Sequence, residues 1–138
     1  MKRQDAESVD SYGRSGLHRA AVKGDLAQLR ELLDVGLDPN LQDSSGMTPL
    51  HFAAQEWRPE IASALLEGGA QVDVQSSHGN TPLFDAVYNS RSRGEVIEIL
   101  RAHGANPMQE NAHGQTPVSL AKLIGNFDVV QYFDDVIG

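Results

Sequence analysis

The chain predicts an all-α fold, a solenoid of four stacked helix-turn-helix units, and three observations carry that expectation. The first is a recurring frame. Gly46-Met47-Thr48-Pro49-Leu50-His51-Phe52-Ala53-Ala54 returns as Gly79-Asn80-Thr81-Pro82-Leu83-Phe84-Asp85-Ala86-Val87 and as Gly114-Gln115-Thr116-Pro117-Val118-Ser119-Leu120-Ala121. A degenerate copy, Gly13-Arg14-Ser15-Gly16-Leu17-His18-Arg19-Ala20-Ala21, precedes them. The second observation is the period: Leu17 to Leu50 and Leu50 to Leu83 are each 33 residues, and Leu83 to Val118 is 35. The third is a second motif in constant phase with the first, Leu29-Arg30-Glu31-Leu32-Leu33 before Gly36, Ala62-Ser63-Ala64-Leu65-Leu66 before Gly69, and Val96-Ile97-Glu98-Ile99-Leu100 before Gly104. A fixed period of this size belongs to a stack of small units, each too small to bury its apolar face alone.

Each element of the unit follows from local chemistry. Thr48, Thr81 and Thr116 stand where a hydroxyl caps a helix N-terminus. Pro49, Pro82 and Pro117 stand in the first turn, where a missing amide donor costs nothing. A short first helix then runs through small residues such as Ala53 and Ala54, which allow close approach of the next unit. First helices are expected near 15–22, 48–55, 81–89 and 116–123. The second helix carries apolar residues at helical spacing, as in Leu26, Leu29, Leu32 and Leu33. Second helices are expected near 26–34, 59–67, 94–102 and 127–136. Gly36, Gly69 and Gly104 end three of them as left-handed caps. The two extra residues of the third unit fall between its helices, because Ala86 to Gly104 is 18 residues where Ala20 to Gly36 and Ala53 to Gly69 are 16. The polar stretch Asn89-Ser90-Arg91-Ser92-Arg93-Gly94 is the place for them. In the last helix Phe127, Val130, Phe133 and Ile137 share one face, and Asp128, Gln131 and Asp135 the other, as suits the outer surface of a terminal unit.

The Thr-Pro-Leu-His-x-Ala-Ala frame followed by Leu-Leu-x-x-Gly-Ala resembles the ankyrin repeat, and the resemblance covers residues 10–138. It implies that the extended segments such as 37–47 form short, projecting β-hairpin loops. Residues 1–9 have no repeat character and are expected as a lead-in, with units at about 10–42, 43–75, 76–109 and 110–138. The resemblance also implies that His18 and His51 brace neighbouring units by hydrogen bonds. Phe84-Asp85 departs from that frame, removing one histidine and placing a charge in the first helix. Trp57 departs too, standing where the turn between helices usually has Gly; it either covers a gap there or forms an apolar spot on the surface.

Composition narrows the function. The formal net charge is −8. Residues 41–90 hold six acidic residues against one basic, Arg58, whereas the first thirty hold six Lys and Arg against four acids. An acidic centre disfavours nucleic acid and favours a basic protein partner, although acidity also serves solubility alone. There is no cysteine, no apolar run long enough for a membrane span, and no apolar core of a signal peptide. A soluble cytoplasmic protein, monomeric when free, is the expectation. The five histidines lack the short paired spacing of a zinc site. No nucleophile–base pair stands out, and the glycines fall at turns rather than in a phosphate loop. Neither cofactor nor metal nor catalysis is expected.

The expected activity is protein binding. The resemblance places partners against the hairpin tips and the exposed face of the first helices. The residues matching those positions include Tyr12, Arg14, Met47, His78, Asn80 and His113 at the tips and Glu56, Asp85, Tyr88 and Asn89 on the helices. Tyr12, Met47 and Tyr88 are the apolar or amphipathic members, and an aromatic anchor loses little rotamer freedom on binding. A stand-alone array acts by occupying a partner's surface, so inhibition or sequestration leads. Small ankyrin proteins that act as immunity proteins against secreted toxins are similar in size and acidity. A structural adaptor or homo-oligomer is the other reading, and the charged stripe on the last helix argues against end-to-end stacking.

Overall fold

The computed structural model describes residues 9–91, 93–125 and 127–137, without the side chains of Phe127, Asp128 and Ile137. The expected lead-in lies outside them, apart from its last residue. Helix α1 (Gly16–Lys23) pairs with α2 (Leu26–Asp34), α3 (Pro49–Gln55) with α4 (Pro59–Glu67), and α5 (Pro82–Tyr88) with α6 (Glu95–Ala102). Helix α7 (Pro117–Ile124) pairs with α8 (Phe127–Val130), which continues through a 3-10 turn (Gln131–Phe133) into α9 (Asp134–Ile137). First helices stack on first helices, α1 on α3 on α5 on α7. Second helices stack α2 on α4 on α6. The result is a two-layered, all-α array with no strand among the described residues.

The frame residues do what their chemistry requires. The hydroxyls of Thr48, Thr81 and Thr116 accept from the amides of His51, Phe84 and Ser119 at 3.4, 3.3 and 3.0 Å, with proline opening each helix. Leu17, Leu50 and Leu83 are fully buried at the seams between units, and Ala21, Ala53, Ala54 and Ala86 let the helices approach. Gly36, Gly69 and Gly104 adopt φ of 96°, 100° and 89°. After each, the next amide donates back to Leu32, Leu65 or Leu100, closing a Schellman cap.

The turn between the two helices has a left-handed slot in every unit. Gly24 and Gly125 fill it in the outer units, but Trp57 (φ 60°) and Arg91 (φ 47°) fill it in the middle two. An L-residue in this region costs about 1–2 kcal/mol. Trp57 recovers part of that cost: it is half-buried on the core, and the Arg93 guanidinium lies 4.6 Å from its ring centroid. The Trp57 departure and the insertion of the third unit are thus packed on each other. The insertion occupies residues 89–94, as the spacing predicts, and its Ser90 is buried.

The last unit docks through Phe133 and Val130 of the expected stripe, with Gln131 and Asp135 exposed as expected, and through Val129, which the stripe did not include. Val129 and Phe133 are fully buried, whereas Val130 is only partly so. The 3-10 turn tightens the helix, and the next element presents Asp135 to Arg101, which grips it at 2.6 and 2.8 Å and also donates to the Tyr132 carbonyl. Tyr132 packs so closely on Gly94 that a Cβ there would lie 2.0 Å from the ring. The expectations for Phe127, Asp128 and Ile137 concern side chains outside the described residues.

Candidate partner-binding surface

The polar groups that hold units together define, by elimination, those left for a partner. His18 and His51 each accept an N-cap amide at Nδ1, from Ser15 at 3.0 Å and Thr48 at 3.1 Å. Their Nε2 therefore carries the proton, donating to the carbonyls of Met47 at 2.9 Å and Asn80 at 2.8 Å in the following unit. Burial keeps both neutral, lowering the His18 pKa and taking that of His51 down to about 4. In the third unit Phe84 makes no such bridge. There the Asn111 amide reaches back to Asn80 Oδ1 at 2.9 Å, and Gln75 Nε2 donates to the Glu110 carbonyl at 3.1 Å.

The hairpin tips are joined by one backbone hydrogen bond at each junction: Ser44 to Tyr12, Ser77 to Ser45 and Ala112 to His78, at 2.8 to 3.0 Å. Asp10, Asp43 and Asn111 each accept two amides of their own loop, fixing the turn. The tips are therefore pre-formed, which reduces the entropy lost on binding. Tyr12, His78 and His113 point into solvent from this row. Met47 is half-buried, and its carbonyl is committed to His18. Arg14 is committed within the chain. Its guanidinium lies 4.8 Å from the Phe52 centroid and 5.2 Å from that of Tyr12, and Nε donates to Asp43 at 3.3 Å.

Four of the residues singled out by sequence converge. Asn80, Asp85, Tyr88 and Asn89 line one open groove of about 390 Å³ with Gln55 and Phe84. Glu56 caps the end of α3 beside Gln55 and is exposed. Tyr88 is 70% exposed, so it does not pack on the insertion loop; Asp85 is only 6% exposed. Asp85 Oδ2 accepts from Gln55 Nε2 at 3.2 Å, and Asn89 Nδ2 donates to the Asp85 carbonyl at 2.9 Å. Burial pushes the Asp85 carboxyl up to about 7, with the Gln55 amide opposing weakly. Gln55 continues the exposed first-helix face read from the sequence, whereas Phe84 was not among the residues singled out there. The signal for Gln55 was its place 30 residues before Asp85, almost one period, which brings the two onto facing first helices.

Among the described residues no group of His, Asp or Glu is placed to hold a metal, and no helix is long and apolar enough to cross a membrane. The fold and surface define a class: a helical repeat array that spends its frame residues on stacking and presents the remainder to another macromolecule. A family model described as ankyrin repeats, in three copies, matches residues 17–111, and the chain belongs to the ankyrin repeat family. Ankyrin repeats are generic protein–protein interaction modules. No curated protein matches the chain.

Proposed function

We propose that this protein binds a basic partner protein through the groove between α3 and α5 and the adjoining hairpin tips, and that covering the partner's surface inhibits or sequesters it. The observation that supports this most is the groove itself. It combines an exposed aromatic rim, Tyr88, with a buried carboxylate, Asp85, on a scaffold of pre-formed tips. Glu56 and Glu60 extend the negative field nearby along the second unit, and both are exposed. A field of one sign steers an oppositely charged partner and raises the association rate, while an aromatic anchor slows dissociation. The role is non-catalytic, the protein acts as a monomer, and the cytoplasm is its proposed location.

The test is affinity capture with wild-type protein, followed by surface plasmon resonance on the captured partner. Glu56→Lys is expected to slow association, with the effect shrinking as salt rises, because screening acts over about 8 Å at physiological ionic strength. Tyr88→Ala is expected to speed dissociation. Unchanged rates for both variants would move the interface away from this surface.

A further inference from the structure

The groove beside α5 has an unusual chemistry. Both flanking amides point their nitrogens at protein oxygens: Gln55 Nε2 at the Asp85 carboxylate and Asn89 Nδ2 at the Asp85 carbonyl. The oxygens of these two amides accept no hydrogen bond from the described residues, and neither does Asp85 Oδ1. Among the described residues, Asp85 is the only carboxylate lining the groove, and no basic residue lines it. The groove therefore offers a cluster of acceptors around one buried negative charge. A buried carboxylate ordinarily has a cation or several donors beside it, since removing it from water is costly. This one meets a single neutral amide, and burial holds its carboxyl up at about 7.

We propose that the groove is a socket for an arginine side chain of the partner protein, with the guanidinium pairing to Asp85 and lying against the ring of Tyr88. Resting on the protein-binding reading above, this names the chemistry recognised there. Arginine fits better than lysine for two reasons. The planar guanidinium carries five donors in a fixed fork, which matches the oxygens of Asp85, Gln55 and Asn89 together, whereas an ammonium is a compact point charge. It also stacks on an aromatic face, and Tyr88 presents one that is mostly free. Three exposed glutamates of the second and third units, Glu60, Glu95 and Glu98, line a different groove between α4 and α6. They carry negative charge without a buried carboxylate, which makes them a control for acidity alone.

The experiment uses N-acetyl-arginine amide as the probe and N-acetyl-lysine amide as its competitor class. Each is titrated at pH 8 and physiological ionic strength into the isotopically labelled full chain, observing the side-chain amide signals of Gln55, Asn80 and Asn89. The expected result is saturable shifts confined to these residues and their neighbours, with arginine binding more tightly than lysine. Asp85→Asn is expected to weaken the arginine probe about ten-fold or more, as loss of a charged hydrogen-bonded pair does. Tyr88→Ala, an exposed position where folding is not at stake, is expected to weaken it about three-fold. Glu98→Gln is expected to change nothing. Equal affinity for wild type, Asp85→Asn and Tyr88→Ala overturns the socket, as does an equal loss in Glu98→Gln. The same variants separate the socket from the wider reading. A captured partner that responds to Tyr88→Ala and Glu56→Lys but ignores Asp85→Asn sinks the socket and leaves the binding surface standing.

Discussion

Asp85→Asn is expected to stabilise the protein by an amount that grows with pH. The side chain is 6% exposed, and its carboxyl ionises at about 7 in the folded protein against 3.8 for an unperturbed aspartate. A group whose folded pKa lies above its unfolded value contributes stability that is complete below the unfolded pKa and is lost as pH rises through the folded one. Between about pH 4 and 7 the folded protein holds a proton at Asp85 that the unfolded chain has released. At 1.36 kcal/mol per pH unit, the loss across pH 4.5 to 8 approaches about 3 kcal/mol. That is a large share of the roughly 5–15 kcal/mol typical of a domain. Asn has nearly the same shape and can accept from Gln55, so the variant keeps the contact and discards the charge. The assay is urea unfolding of both proteins at several pH values, followed by circular dichroism and by the fluorescence of Trp57, the single tryptophan. His51 works in the opposite sense. Its folded pKa of about 4 means that stability is lost as pH falls below 6.5, so it flattens the wild-type profile and should emerge as a clear rise in the variant. Its contribution cancels in the difference between the two proteins. A difference that stays constant from pH 4.5 to 8 would refute the desolvated carboxylate.

Leu50→Ala removes a fully buried side chain from the seam between the first and second units and is expected to cost about 2–5 kcal/mol; a loss under about 0.5 kcal/mol in urea unfolding would mean that the seam is misplaced. Gly94→Ala sets a methyl group 2.0 Å from the Tyr132 ring. It should destabilise by about 1–3 kcal/mol and speed amide exchange across the C-terminal unit, with Tyr132→Ala in the same chain restoring the slow exchange. Arg91→Gly relieves an exposed left-handed residue. The relief of about 1–2 kcal/mol is partly offset by the freer unfolded chain, leaving a net gain of about 0.5–1 kcal/mol, which urea unfolding would detect as a higher midpoint.

The helices were legible because the repeat writes each boundary in residues with one job. Threonine and proline open three of the first helices, glycine closes three of the second ones, and a period measured between leucines sets their register. The insertion at 89–94 was legible by subtraction, since a fixed period makes any excess visible. The pairing of His18 with Met47, and of His51 with Asn80, was legible only in kind: the resemblance supplies a bracing histidine, and the structure supplies its acceptor 29 residues ahead. The same offset joins Arg14 to Asp43, which turns a side chain expected at the interface into one held between two rings and a carboxylate. Nothing in composition separates those two fates for an arginine at a hairpin tip. The last helix was legible in part: Phe133 and Val130 pack inward as the stripe requires, and Val129 packs with them. The Arg101 grip on Asp135, an interaction 34 residues long in sequence, was not legible there.

Asp85 shows why departures from a repeat carry more information than agreements. At the equivalent position of the second unit stands Phe52, and in the first Arg19, so no frame residue dictates a carboxylate there. Burying one costs stability, by the reasoning above about 3 kcal/mol near neutrality, and no stacking contact returns it: Gln55 alone meets it, with a neutral amide. The neighbouring departure, Phe84 for histidine, removes the proton donor that braces the junction in the two preceding units. That lost brace belongs to the next junction, between the third and fourth units; the junction that holds Asp85 keeps its own, from His51 to Asn80. A scaffold can hold such a residue when part of the cost is recovered in a complex, where a nearby cation favours the ionised carboxylate. The stability deficit at Asp85 and the affinity gained from an arginine then have one source, the desolvated carboxylate, and both should vanish together in Asp85→Asn.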